Sequence, residues 1–208
     1  AVILAGFTYI SLQKRFQPLY LLGLLVVILP VYLILTVARS HDVEYLNGIF
    51  EMKYTGMPIF ITQPYMYIAN NYDNFNCLVE ALPRHTFGLR GLFPLWALTG
   101  LKFVFPQLIN FPIYVDKKEL TTLTLFYDAY YDFGWLGVLV FSCVLGLVAY
   151  LLVLKLREMR NPMGYLLYAQ MGAYLILSFF TTWFSNPTTW FYLILTGLMA
   201  VYYYFNEH

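Results

Sequence analysis

The sequence predicts an all-α fold: a polytopic transmembrane helical protein with a large extracytoplasmic loop containing re-entrant or interfacial segments. Three observations lead there. The chain is 61% hydrophobic and only 11% charged over 208 residues, whereas a soluble globular chain carries roughly a quarter charged residues. Its uncharged runs reach the length a bilayer crossing requires, about 20 predominantly apolar residues. Its Lys and Arg cluster beside those runs, where they set orientation. The net charge of +1 and the absence of a basic stripe predict no nucleic-acid partner.

Taken in order, residues 1–12 read as the end of an earlier span. The chain starts at Ala1 inside an apolar run with no basic leading region, so it reads as a fragment of a longer membrane protein, one integral membrane domain over 1–208. Between Arg15 and Arg39 lie 23 residues without a formal charge, giving a span at about 17–38, bent at Pro30. Between Asp132 and Lys155 lie 22 more, giving a span at 133–154. From Asn161 to Asn206 there are 46 residues without Asp, Glu, Lys or Arg, which suits two crossings. "FSNPTTW" (184–190) breaks that run with an Asn-Pro turn signal, so helices are expected at 162–183 and 188–205. Lys14 and Arg15, and then Lys155, Arg157 and Arg160, mark cytoplasmic loops. The region of about 39–131 and the turn at Asn186 are then extracytoplasmic, and the C-terminal "NEH" is inside.

The outer region holds nine of the eleven acids, with Asp132 at its edge, so polar chemistry is expected there. It is not uniformly polar. The stretch 91–115 is apolar but carries Pro94, Lys102, Pro106 and Pro112, and 54–72 is charge-free but rich in Tyr, Asn and Pro. One or two re-entrant or interface-lying segments are expected there, because irregular backbone at membrane depth must be buried in protein or line a cavity; a full crossing by 91–115, compensated by 54–72, is the alternative. The 20 tyrosines form an interfacial belt in "VYYYF" (201–205). In "QPYMYIANNYDNFN" (63–76) they alternate with Asn and Asp, which fits either a sugar-binding surface or tight Asn-rich turns. Cys77 and Cys143 lie in unlike settings, and no metal-ligand spacing is present.

Arg84 and Arg90, six residues apart in "RHTFGLRG", suit a diphosphate head group, because arginine binds phosphate bidentately and keeps its charge. Lipid head-group contact or a loop salt bridge is the plainer role. Asp128 and Asp132 precede Gly134 and Gly137 at the mouth of the 133–154 span. Asp132 reads either as a base or as an acid favouring its helix N-terminus, worth about 0.3–1 kcal/mol. Gly134, Gly137 and Gly146 are expected to permit close helix–helix contact.

"YIANNYDNFNCLVEALPRHTFG", followed some forty residues later by "LTTLTLFYDAYYDFGWLGVLVFSCVLGLVAY", resembles the bacterial oligosaccharide repeat unit polymerases, the Wzy-type polymerases of O-antigen and capsule synthesis. The likeness lies in the Asn71 to Asn76 block and in Tyr130 to Gly137, and it covers roughly 17–205 as the C-terminal part of such a protein. The resemblance implies a metal-independent, cofactor-free glycosyltransferase on the outer face of the cytoplasmic membrane. It would polymerise undecaprenyl-diphosphate-linked oligosaccharide repeats into a surface polysaccharide such as O-antigen, capsule or exopolysaccharide. The implied partners are that lipid-linked oligosaccharide, the bilayer, a flippase and a chain-length regulator.

The expected roles follow. Arg84 and Arg90 hold the diphosphate and stabilise its charge as the sugar–oxygen bond breaks. Asn71, Tyr72, Asp73, Asn74, Asn76 and Tyr131 shape the sugar site. Asp132, His85 or Asp128 orients or deprotonates the acceptor hydroxyl, with Asp73 and Glu80 as further candidate bases. Rival expectations are an O-antigen ligase, a transporter or flippase for the lipid-linked repeat, and a structural membrane subunit. The lack of charge at mid-depth in the confident spans weighs against transport.

Overall fold

The computed structural model describes residues 18–39, 43–158, 161–179 and 181–206. Among these the chain forms eight α-helices and no strand. Helix α1 (Pro18–Arg39) coincides with the first expected span and runs through Pro30 without ending. The earlier span end at 1–12, the Lys14–Arg15 loop, Arg160, Glu207 and His208 lie outside the described residues, as does the side chain of Arg157.

Helix α2 (Val43–Ile49) ends in a Schellman-type turn. The Glu51 amide bonds the Gly48 carbonyl at 3.0 Å, and the Met52 amide bonds Asn47 at 3.0 Å. Glu51 takes the left-handed position (φ 53) that glycine usually fills there. Asn47, fully buried, donates to the Thr55 and Met57 carbonyls at 2.7 Å each, which pins the following loop. Phe50, Ile59 and Met66 form a small core beneath it.

Helix α3 (Ile59–Ala81) corrects two expectations. The Asn-rich block does not form tight turns, and 54–72 is not irregular along most of its length. Asn is a poor helix former because its amide competes for nearby backbone. Here distant carbonyls occupy the amides instead. Asn70 donates to Leu120 at 3.0 Å, and Asn74 donates to Leu120 and Thr122 at 2.8 Å each. Asn74 also accepts from the Asp116 amide at 2.9 Å. Positions 70 and 74 lie one turn apart on one face, so α3 clamps the non-helical segment 116–122, which turns at Lys117–Leu120.

Residues 91–115 break into α4 (Phe93–Leu98), α5 (Leu101–Val104) and a 3-10 turn at Pro106–Leu108; left-handed Gly100 (φ 77) separates the two helices and Pro106 starts the 3-10 turn. Helix α6 (Tyr127–Glu158) is interrupted at Gly134 (φ 62, ψ −149), a conformation essentially confined to glycine. Leu78, Leu123, Tyr127 and Tyr131 form the main core against Phe75, Phe111 and Tyr114.

Helices α7 (Pro162–Ile176) and α8 (Pro187–Asn206) pack as a hairpin. Asn161 caps α7 by accepting from Met163 N at 2.9 Å and donates to the Ala200 carbonyl at 2.7 Å. Buried Thr196 donates to Gln170 at 2.9 Å. The expected helix at 162–183 stops at Ile176, and a 3-10 turn at Trp183–Ser185 precedes α8.

Among the described residues one helix, Tyr127–Lys155, is long and apolar enough to cross a membrane, and little of its most apolar stretch is buried within the protein.

Candidate functional site

The break at Gly134 frees the carbonyls of the turn before it. With Gly134 outside the helical region, Tyr131 and Asp132 cannot receive the amides four residues on. The loop 84–92 supplies replacements. Thr86 N donates to Tyr131 O at 3.3 Å, and Phe87 N donates to Asp132 O at 3.1 Å. The His85 ring joins them, with Nδ1 3.3 Å from Tyr131 O. A carbonyl only accepts, so in the neutral ring Nδ1 carries the proton and Nε2 keeps its lone pair. A Cβ on Gly134 would sit 3.1 Å from that Nε2.

Asp132 is buried and caps the loop, not its own helix. Its carboxylate accepts from Thr86 Oγ1, from Arg90 N at 3.2 Å and from Gly91 N at 2.7 Å. A Cβ on Gly91 would come 2.7 Å from Oδ2, so this approach requires glycine. The helix-start role expected for Asp132 is therefore not the one it plays. Three donors on its two oxygens commit the carboxylate to holding the loop.

Asp128, in the first turn of α6, is buried and pairs through one oxygen with Arg90 Nε. The Arg90 guanidinium lies 4.5 Å from the Tyr131 ring centroid and 5.3 Å from that of Tyr127. Tyr127 is itself fixed: its hydroxyl donates to Tyr114 O at 2.9 Å and accepts from Tyr114 N at 2.8 Å. Arg90 is thus a strut between the loop and α6. Arg84 is exposed and has no hydrogen bond or ion pair among the described residues.

The structure brings His85, Arg90, Asp128, Tyr131 and Asp132 together across about forty residues of sequence, with Arg84 next to His85 in the loop. The 71–76 block divides. Asn71 and Asn74 are buried, and Asn71 donates to Tyr67 O in its own helix. Tyr72, Asp73 and Asn76 are exposed, with Asn76 bonded to Glu80 at 2.8 Å. Asn71 and Asn74 are hence fold-determining residues and do not line a sugar surface. The glycine expectation also changes: Gly134 makes the break, and a Cβ on Gly137 would strike Ala129 O at 2.2 Å across it. Gly146 has nothing within 4 Å.

Sequence reasoning missed Thr86, Gly91, Tyr114 and Tyr127. In "RHTFGLRG" Thr86 follows His85 and Gly91 follows Arg90, and a small residue next to a candidate side chain was the available signal.

The cluster opens on an apolar groove of about 800 Å³ running along α6 past Leu136, Val140 and Val144 to α7 and α8. Asp128 and Asp132 are its only acids, and Phe87 stands at its mouth, 77% exposed with a left-handed backbone (φ 50). Such strain at a non-glycine residue costs on the order of 1–3 kcal/mol and gathers at working sites. Among the described residues no group of three or more His, Cys, Asp or Glu converges to hold a metal.

Elsewhere, burial and then the carboxylates of Asp116, Glu80 and Asp73 push the Cys77 thiol above its ordinary value. No family model, no curated protein and no solved structure matches the chain.

Proposed function

We propose that the chain is part of a multi-pass bacterial inner-membrane glycosyltransferase that polymerises lipid-diphosphate-linked oligosaccharide repeats on the extracytoplasmic face. One observation carries this reading. Asp128 and Asp132 line the head of an apolar groove along the span-length helix, and the loop that caps Asp132 carries exposed His85 and Arg84 beside it. A substrate with a charged head and a long hydrocarbon tail has that pattern. The exposed apolar faces of α6 support a lipid surround, since a helix apolar all round belongs in a core or a bilayer.

On this reading Arg84 holds the diphosphate, and Arg90, already paired with Asp128, holds the loop. The acceptor hydroxyl gives its proton to His85 Nε2 as its oxygen bonds the anomeric carbon. The bond from that carbon to the diphosphate breaks, and the diphosphate leaves with the electron pair. Arginine charge stabilises the leaving group without a metal.

The test is the full-length protein reconstituted with lipid-linked repeats and read as a ladder on a gel. His85→Gln is expected to slow polymerisation by about a hundredfold or more. Arg84→Ala is expected to lower kcat/KM by roughly 10- to 100-fold. Ladders unchanged in both variants would sink the assignment. A single transfer to an unrelated acceptor would identify a ligase instead.

A further inference from the structure

A second cavity, of about 490 Å³, lies away from the groove, between the 50–54 loop, α3 and the segment at Asp116 and Lys117. Ligand pockets for small molecules run from roughly 300 to 1,000 Å³. We propose that this cavity is a carbohydrate subsite that takes an uncharged stretch of oligosaccharide. The proposal rests on the glycosyl-transfer reading for its biological role and on the cavity's own chemistry for its ligand class.

Tyr54 and Tyr65 line it and are 61% and 59% exposed, so ring surface is open to stacking, with Lys53 Nζ over one face of Tyr54 at 5.6 Å from the centroid. Sugar rings present apolar C–H faces that such rings cover. Asp73, Asp116 and Lys53 add exposed charged groups able to accept from and donate to hydroxyls. With Glu51 and Lys117 included, three carboxylates face two ammonium groups. That balance disfavours a diphosphate or an acidic ligand and leaves a neutral polyol well matched.

The walls are fixed before any ligand arrives. Asn47 pins the loop through Thr55 and Met57. Lys117 bonds the Ile49 carbonyl at 3.0 Å and pairs with Glu51 at 2.7 Å. Asn74 holds the Asp116 amide at 2.9 Å. A pre-organised wall lowers the ordering cost of binding. The segment that forms one wall also reaches the first site, because Tyr114 bonds Tyr127 and the Phe111 carbonyl lies 3.5 Å from Arg90 Nη1.

The test uses the full-length protein in nanodiscs and saturation-transfer NMR. The probes are free, uncharged oligosaccharides of hexoses and N-acetylhexosamines, with no lipid or phosphate. At least one is expected to bind at millimolar concentration. Tyr65→Ala and Asp73→Asn are each expected to weaken it roughly tenfold. Tyr202→Ala, on the exposed end of α8, should not change it, and inorganic diphosphate should not compete. Three results would each overturn the proposal: no binding by any probe at tens of millimolar, binding indifferent to both cavity variants, or displacement by inorganic diphosphate. Sugar binding that obeys Tyr65 and Asp73 in a protein that makes no ladder supports the cavity and sinks the polymerase. A ladder with sugar binding indifferent to them does the reverse.

Discussion

At Gly134 a single backbone angle decides what the neighbouring side chains do. Its φ of 62 with ψ of −149 excludes a Cβ by local sterics, and His85 Nε2 excludes one by position, 3.1 Å away. Gly134→Ala is expected to destabilise by about 1–3 kcal/mol from backbone strain, more if His85 is displaced. Gly146→Ala, with nothing within 4 Å, is the control and should be neutral or gain up to about 1 kcal/mol. Thermal unfolding of both variants in detergent checks the pair, and equal midpoints would count against the break. Gly134 and Asp132 stand out in the sequence, but helix–helix packing and helix capping are not what they do here. A Gly-x-x-Gly pair in an apolar run looks the same whether it meets another helix or interrupts its own. Asp132 near a helix start looks like a cap until the Arg90 and Gly91 amides are seen to meet it.

Among the elements, α1, α6, α7 and α8 were legible because long uncharged runs admit one reading and charges or Asn-Pro mark their ends. Helix α3 was not. Its asparagines signal turns locally, and their partners lie near residue 120, some fifty positions away. No local pattern carries that information. The clamp has a measurable consequence. Asn74→Leu removes both carbonyl contacts and the acceptor for Asp116 N, so segment 116–122 should loosen while α3 persists. Limited proteolysis after Lys117 or Lys118 should speed up by about tenfold or more, if each lost bond is worth about 1 kcal/mol. An unchanged cleavage rate would show that the segment is held by something else.

For the whole molecule, the proposed topology puts the 39–131 region outside and Cys143 within a span. A membrane-impermeant maleimide added to intact cells should then label Cys77 and spare Cys143. Burial and nearby carboxylates raise the Cys77 thiol, so less thiolate is present at any given pH than for a free cysteine. Its labelling should be slow at neutral pH and still climbing above pH 9, the ordinary value. Labelling of Cys143 would overturn the span at 133–154, and absence of Cys77 labelling at any pH would put the 39–131 region on the inner side. One feature of the site also bears on how such a chain is made. The carbonyls freed at Gly134 are satisfied by amides of Thr86 and Phe87, which leave the ribosome nearly fifty residues earlier. On the proposed topology, the template for its broken turn is already on the outer side when the upper end of α6 emerges. The lower part of α6 can complete its ladder alone during insertion, whereas residues 127–133 become fully bonded only after meeting that earlier loop. The site is thus the last part of α6 to mature, and its assembly reports that loop and helix have reached the same side.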